Sequence, residues 1–121
     1  MKTIARISRE NFAGAAVIVE GMNDKAALRR LGLKGKILSF KSSGQTLLDF
    51  VDGIGSKRVL VLTDFDKEGH EVAARITEEL EHQGVKVEMS LRRQLAAMVK
   101  PEITKVEELP SFLLSIELEL S

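Results

Sequence analysis

The sequence predicts an α/β architecture: a small, open, mainly parallel four-stranded sheet with helices on both faces. Three observations lead to it. Short apolar runs alternate with helical patterns along most of the chain, the strongest run reads as a strand buried on both faces, and the connections lack the dipeptides that close hairpins.

AAVIVEG (residues 15–21) is an apolar run ending in an acid and a glycine, and it reads as the first strand. Asn23 or Asp24 then caps a helix carrying Ala27, Leu28 and Leu31, closed by Gly32. KILSF (36–40) is a second strand, and the polar KSSGQ leads into a helix over TLLDFVD. RVLVLTD is the third and strongest strand, and the helix after it places Val72, Ile76 and Leu80 on one face before Gly84. VKVEM (85–89) makes a fourth, shorter strand, and LRRQLAAMV (91–99) is helical. Thr104 and Glu107 have capping-box spacing for a last helix around Val106 to Leu118, with Pro110 splitting it or restarting it. The segment before Ala15 is a helix or a loose arm.

Composition bounds the possibilities. The 121 residues suit one domain, with a core over about 14–100 and a helical extension over 101–121. Lys plus Arg and Asp plus Glu balance at 18 each, so a polyanion must be met by a local patch rather than a global field. With no cysteine there is no disulfide, thiol nucleophile or thiolate zinc site. The apolar runs fall short of the roughly 20 residues that span a bilayer, and no signal-type core follows the charged start, so the expectation is a cytoplasmic protein without membrane contact.

The chemistry concentrates where strands end. In open parallel sheets, functional groups gather beyond the carboxyl ends of the strands. Glu20 closes the first strand, and Asp64 and Asp66 close the third, on the same side of an extended chain. If those strands are neighbours, three carboxylates converge. Like charges so placed raise one another's pKa unless a cation sits between them, and hard oxygen donors in a partial set suit Mg²⁺, with Mn²⁺ as a substitute.

VIVEG followed by VLVLTDFDKEG resembles the Toprim domain of topoisomerases, bacterial-type primases, the 5S ribosomal RNA maturation nuclease and the overcoming-lysogenization-defect nucleases. The likeness covers roughly residues 14–100, in a chain similar in size to the small stand-alone Toprim proteins. It implies a Toprim-like, Rossmann-like fold, with the family glutamate at Glu20 beside Gly21, the metal-binding aspartates at Asp64 and Asp66, and the motif glycine at Gly69. The polar loop at Gly44 matches more loosely. With no tyrosine for a phosphotyrosyl link, and neither cysteine nor length for a primase zinc module and extra subdomains, metal-assisted phosphodiester hydrolysis by water is left. In that scheme Glu20, Asp64 and Asp66 are both catalytic residues and metal ligands, and Glu20 acts either on the metal or as general acid or base.

Phosphate contacts are expected from Lys67 beside the aspartates, from Lys41, Ser43 and Gly44 at the start of a predicted helix, and from Arg29 and Arg92. Arg30, Lys34, Lys36 and Arg93 are further bases, each also explicable as solvated charge. The only aromatics are phenylalanines, which argues against base stacking, and Phe65 is expected in the core. His70 and His82 lie at opposite ends of one predicted helix, too far apart to share a metal. Ser42 and Ser43 lack the elbow motif of a nucleophile. Two functions follow: a Mg²⁺-dependent nuclease or related phosphotransferase acting on RNA or DNA, as in RNA processing or DNA repair, or a non-catalytic nucleic-acid or nucleotide-binding module that depends on a partner. A homodimer or a protein partner would enlarge the small binding surface.

Overall fold

A computed structural model describes residues 1–120. Four strands, β1 (Ala16–Val19), β2 (Ile37–Ser39), β3 (Arg58–Val61) and β4 (Lys86–Glu88), form one sheet in the order β2-β1-β3-β4, with every pairing parallel. The helices are α1 (Lys2–Phe12), α2 (Met22–Arg30), α3 (Leu47–Asp52), α4 (Lys67–His82), α5 (Ser90–Val99) and α6 (Leu109–Leu120).

Strand alternation divides the core in two. Val17, Val19, Leu60 and Leu62 face a cluster with Ile7 of α1, Leu28 of α2, Leu91 and Leu95 of α5, and Leu109 of α6. Ala16, Ile18, Val59 and Val61 face Phe50 and Val51 of α3 and Ala73, Ile76 and Leu80 of α4. Because residues of β1 and β3 point to both layers, neither strand has a solvated face, and this explains why each reads as an unbroken apolar run. Helices therefore cover both faces, as the sequence predicts, and the segment before Ala15 is a helix.

Three local expectations are corrected. Gly21, rather than Asn23 or Asp24, is the N-cap of α2; Asp24 lies one turn in, and its carboxylate accepts the Gly21 N–H at 3.0 Å. This is a capping-box contact run from the helix side, which frees Asn23 to face solvent. Residues 41–43 form an isolated 3₁₀ turn ending at Gly44 (φ 69°), and α3 starts only at Leu47, capped by the Thr46 hydroxyl. Lys41 and Ser43 therefore do not open an α-helix. Thr104 and Glu107 do not cap α6: residues 106–108 form a 3₁₀ turn, and α6 begins at Leu109 with Pro110 in its first turn, where a missing N–H costs nothing.

The order of strands places the site. Between β1 and β3 the chain leaves to build β2 on the outer edge and then returns, so strand order reverses there and the loops after β1 and β3 diverge to open a crevice.

Candidate metal centre at the strand ends

Val17 pairs with Leu60 and Ile18 with Val61, and the Leu62 N–H continues the ladder to the Ile18 carbonyl at 2.7 Å. That register carries Glu20 and Asp64 out of the sheet side by side. Glu20 is 4% exposed, and its Oε2 accepts the Asp64 N–H at 2.9 Å. On its other side, Lys41 Nζ stands 3.3 Å from Glu20 Oε1 and 2.8 Å from Glu68 Oε1. Both acids, the Glu68 hydrogen bond foremost, hold the Lys41 ammonium more firmly protonated than a free lysine.

Asp64 Oδ1 accepts the Val106 N–H at 2.9 Å. Despite that bond, burial first, and then the charges of Asp24 and Glu20, push the Asp64 carboxyl up to about 7. Asp24 is also raised, chiefly by burial, with Glu107 and Glu20 adding to it. The acids that act on Asp64 are thus Glu20 and Asp24. Asp66 is committed elsewhere: its Oδ1 accepts the Gly69 N–H at 2.7 Å and caps α4.

A close approach of two backbones holds the aspartate loop. A Cβ on Gly69 would stand 1.9 Å from the Asp64 carbonyl oxygen, so only glycine lets α4 begin this near the end of β3. The Thr63 hydroxyl donates to the Gly69 carbonyl at 2.6 Å. Phe65 is fully buried, and its N–H reaches the Thr104 carbonyl at 2.7 Å. Beneath the loop lies Arg92, 4% exposed, which donates to the Thr63 carbonyl at 3.2 Å and to the Asp64 carbonyl.

The sequence-nominated bases separate on this frame. Lys41 and Lys67 belong to the acidic edge, Lys67 exposed in the first turn of α4. Ser43 and Gly44 sit in the turn after Lys41, where Ser43 Oγ donates to the Phe40 carbonyl and accepts the Gln45 N–H. Arg29 lies at the far end of α2, near the start of β2, and donates to the Leu33 and Gly35 carbonyls at 3.0 and 2.7 Å. Because a crossover helix runs back past its strand, Arg29 is at the opposite edge from Glu20. Arg92 turns inward rather than toward solvent. Gly21 caps α2.

Sequence reasoning gave Asp24 and the Thr104–Glu107 segment only capping roles, none at the site, and missed the inward turn of Arg92. Arg92 carried a signal, since it shares the 92, 96, 99 face of α5 with Ala96 and Val99, which are buried.

The donor set fits a hard divalent cation. Glu20 and Asp64 lie side by side at the crevice, among the described residues the N–H bonded to the Asp64 carboxylate goes to Oδ1, and the mutual repulsion of the acids is what a cation would relieve. Among the described residues, no group of three or more His, Asp or Glu side chains is gathered as a complete ligand set.

In a parallel α/β fold of this kind, acids at the switch point lie where such sheets bind their ligands. The Toprim domain family matches residues 14–89, and the chain belongs to that family. It is 31% identical over 111 residues to a UPF0292 protein of Archaeoglobus fulgidus, spanning 92% of this chain and 86% of that one. To a UPF0292 protein of Pyrococcus horikoshii it is 38% identical over 109 residues, 88% of this chain and 80% of the other. A solved structure of a putative protein from Aquifex aeolicus superposes with a TM-score of 0.75 at 28% identity, covering 88% of this chain and 94% of that one. At the level of the family, Toprim membership points to metal-dependent chemistry on nucleic acid. Among the described residues no helix is long and apolar enough to cross a membrane.

Proposed function

We propose that this protein hydrolyses phosphodiester bonds in nucleic acid as a Mg²⁺-dependent, Toprim-type nuclease. One observation carries the reading: a buried Glu20 carboxylate bonded to the Asp64 N–H, with the Asp64 carboxyl beside it raised by burial and neighbouring acids. Such a pair is costly in an empty fold and useful where a cation and a phosphate meet.

Mg²⁺, or Mn²⁺ in its place, supplies Lewis-acid polarisation of the phosphate when bound. Glu20 and Asp64 would hold it, with the free oxygen of Asp66 reaching it directly or through water. Glu20, reached by the Lys41 ammonium, would also take a proton from water or return one to the leaving oxygen. Lys41 and Lys67 bring positive charge to the rim and hold phosphate oxygens there, while Arg92 and Gly69 keep the Asp64 backbone in position. These groups meet phosphate rather than bases, so little sequence preference is expected.

The test is cleavage of pooled, labelled RNA and DNA with Mg²⁺ or Mn²⁺ by wild type, Glu20→Gln and Asp64→Asn. Cleavage by wild type alone supports the proposal, and cleavage that persists in both variants sinks it.

A partner-dependent module is the second reading. It is favoured by the protein's own hold on both acids, Lys41 on Glu20 and Val106 on Asp64. Folded wild type that binds Mn²⁺ through Asp64 but cuts nothing would select it.

A further inference from the structure

Charge is unevenly laid over a chain whose total is zero. Between α6 and the end of α5 runs a groove of about 800 Å³. Phe112 and Ile116 of α6 and Met98 of α5, 50% exposed, give it an apolar lining. Its charged residues are Glu102, Glu107, Glu108 and Glu119, and among the described residues no basic side chain lines it. The helix along it is apolar on more than one side. Leu109 is buried and Phe112 and Leu113 pack against the core, yet Leu114 stands 56% exposed, and the charged residues of α6 are both glutamates. A helix of that composition is normally covered.

The counterpart is on α1. Ile4, Ile7 and Asn11 form its buried side, and helical periodicity puts Lys2, Ala5, Arg6, Arg9 and Phe12 on the opposite one, all exposed. This outer face has three cations, no acid, and a phenyl ring that is 79% exposed. Among the described residues, neither its three cations nor the four groove glutamates are in an ion pair. Water solvates such charges, and a single exposed apolar side chain is ordinary. Here, however, the exposed apolar side chains lie within two surfaces of opposite sign, and water does not satisfy those side chains. The surfaces also adjoin: the Thr3 hydroxyl of α1 donates to Met98 Sδ at 3.4 Å, so α1 starts at the edge of the groove.

We propose that the protein pairs as a two-fold dimer in which the basic outer face of α1 on each copy docks in the acidic groove along α6 of the other. Each copy offers one groove and one helix face, so a two-fold axis makes the contact twice and closes the assembly. Aromatic and methionine side chains meet at the centre with charge around them, which is the make-up of a protein interface. Opposite charges steer and orient the copies, while the apolar side chains supply the affinity. Glu107 also lines the crevice around Glu20 and Asp64, so the docked helix lies along a wall shared with the candidate site. Pairing of this kind requires neither metal nor cleavage.

Sedimentation equilibrium of the full chain, without metal, tests it. Wild type should be a dimer with a dissociation constant of about micromolar, and Phe12→Ser should weaken it about tenfold or more. Two double variants then reverse one surface each: Lys2→Glu with Arg9→Glu makes α1 acidic, and Glu102→Lys with Glu108→Lys makes the groove basic. Every position changed is exposed, and circular dichroism checks the fold. Each double variant alone should be monomeric, because both contacts of its dimer now join like charges. An equimolar mixture of the two should restore the dimer, because both contacts of the mixed pair join opposite charges. Glu78→Lys with Glu81→Lys on α4 makes the same change in net charge as the groove variant and should leave the dimer intact. Monomeric wild type at about 100 times that dissociation constant overturns the proposal. So do dimers that persist in both double variants, a mixture that stays monomeric, loss of the dimer in the α4 control, or open-ended growth with concentration.

Discussion

Replacing Asp64 by asparagine should stabilise the metal-free protein at neutral pH while removing its response to metal. The Asp64 carboxyl rises from 3.8 to about 7, because burial and the charges of Asp24 and Glu20 disfavour the ionised form. Taken whole, a shift of about 3 units corresponds to roughly 4 kcal/mol. The side chain is only half-buried, so solvent screening roughly halves this, to about 2 kcal/mol. The sign follows from the raised value. Native protein holds this proton more tightly than the unfolded chain, so stability is greatest below about pH 4 and falls as pH rises to about 7. Asparagine keeps an oxygen for the Val106 N–H, stays neutral, and offers its amide to Glu20. Thermal unfolding in EDTA at pH 5 and pH 8 measures the difference. At pH 8 the variant should melt about 8 °C above wild type, at pH 5 the gap should shrink, and added Mg²⁺ should raise only wild type. A variant no more stable than wild type at pH 8 would refute the reasoning, since the aspartate would then bear no electrostatic cost.

Gly69→Ala puts a methyl carbon 1.9 Å from the Asp64 carbonyl oxygen, and should cost about 3 kcal/mol or more in urea unfolding as α4 is pushed from β3. Asp66 combines a cap with a candidate metal contact, and two substitutions part these roles. Asp66→Ala should lose about 1 kcal/mol with the Gly69 N–H bond, whereas Asp66→Ser should keep the stability and lower metal affinity. Equal stability of Asp66→Ala and Asp66→Ser would deny the cap.

Much of the fold was legible because local pattern and tertiary role agree. β1 and β3 are central strands buried on both sides, so their unbroken apolar runs are a direct consequence of position. The alternation with Leu28, Ile76 and Leu95 on helix faces then dictates the crossovers. The nearness of Glu20 and Asp64 was legible too, given neighbouring strands. What escaped depends on side-chain direction or on main-chain donors, which leave no mark in residue identity. Arg92 is basic whether it meets solvent or the Asp64 carbonyl, and only the path of α5 decides. Val106 donates to Asp64 through its backbone, which any residue but proline supplies. Arg29 follows Glu20 closely in sequence, yet α2 carries it to the other edge of the sheet. Asp66 looked like a partner of Asp64, and the demand of α4 for a cap claimed one of its oxygens.

The central claim is that Glu20 and Asp64 share a divalent cation, and Mn²⁺ binding followed by electron paramagnetic resonance tests it most directly. The account predicts saturable binding by wild type, lowered about tenfold or more in Glu20→Gln and in Asp64→Asn, and little changed in Arg29→Gln at the far edge. Equal Mn²⁺ affinity in wild type and both acid variants, each shown to be folded, would contradict it.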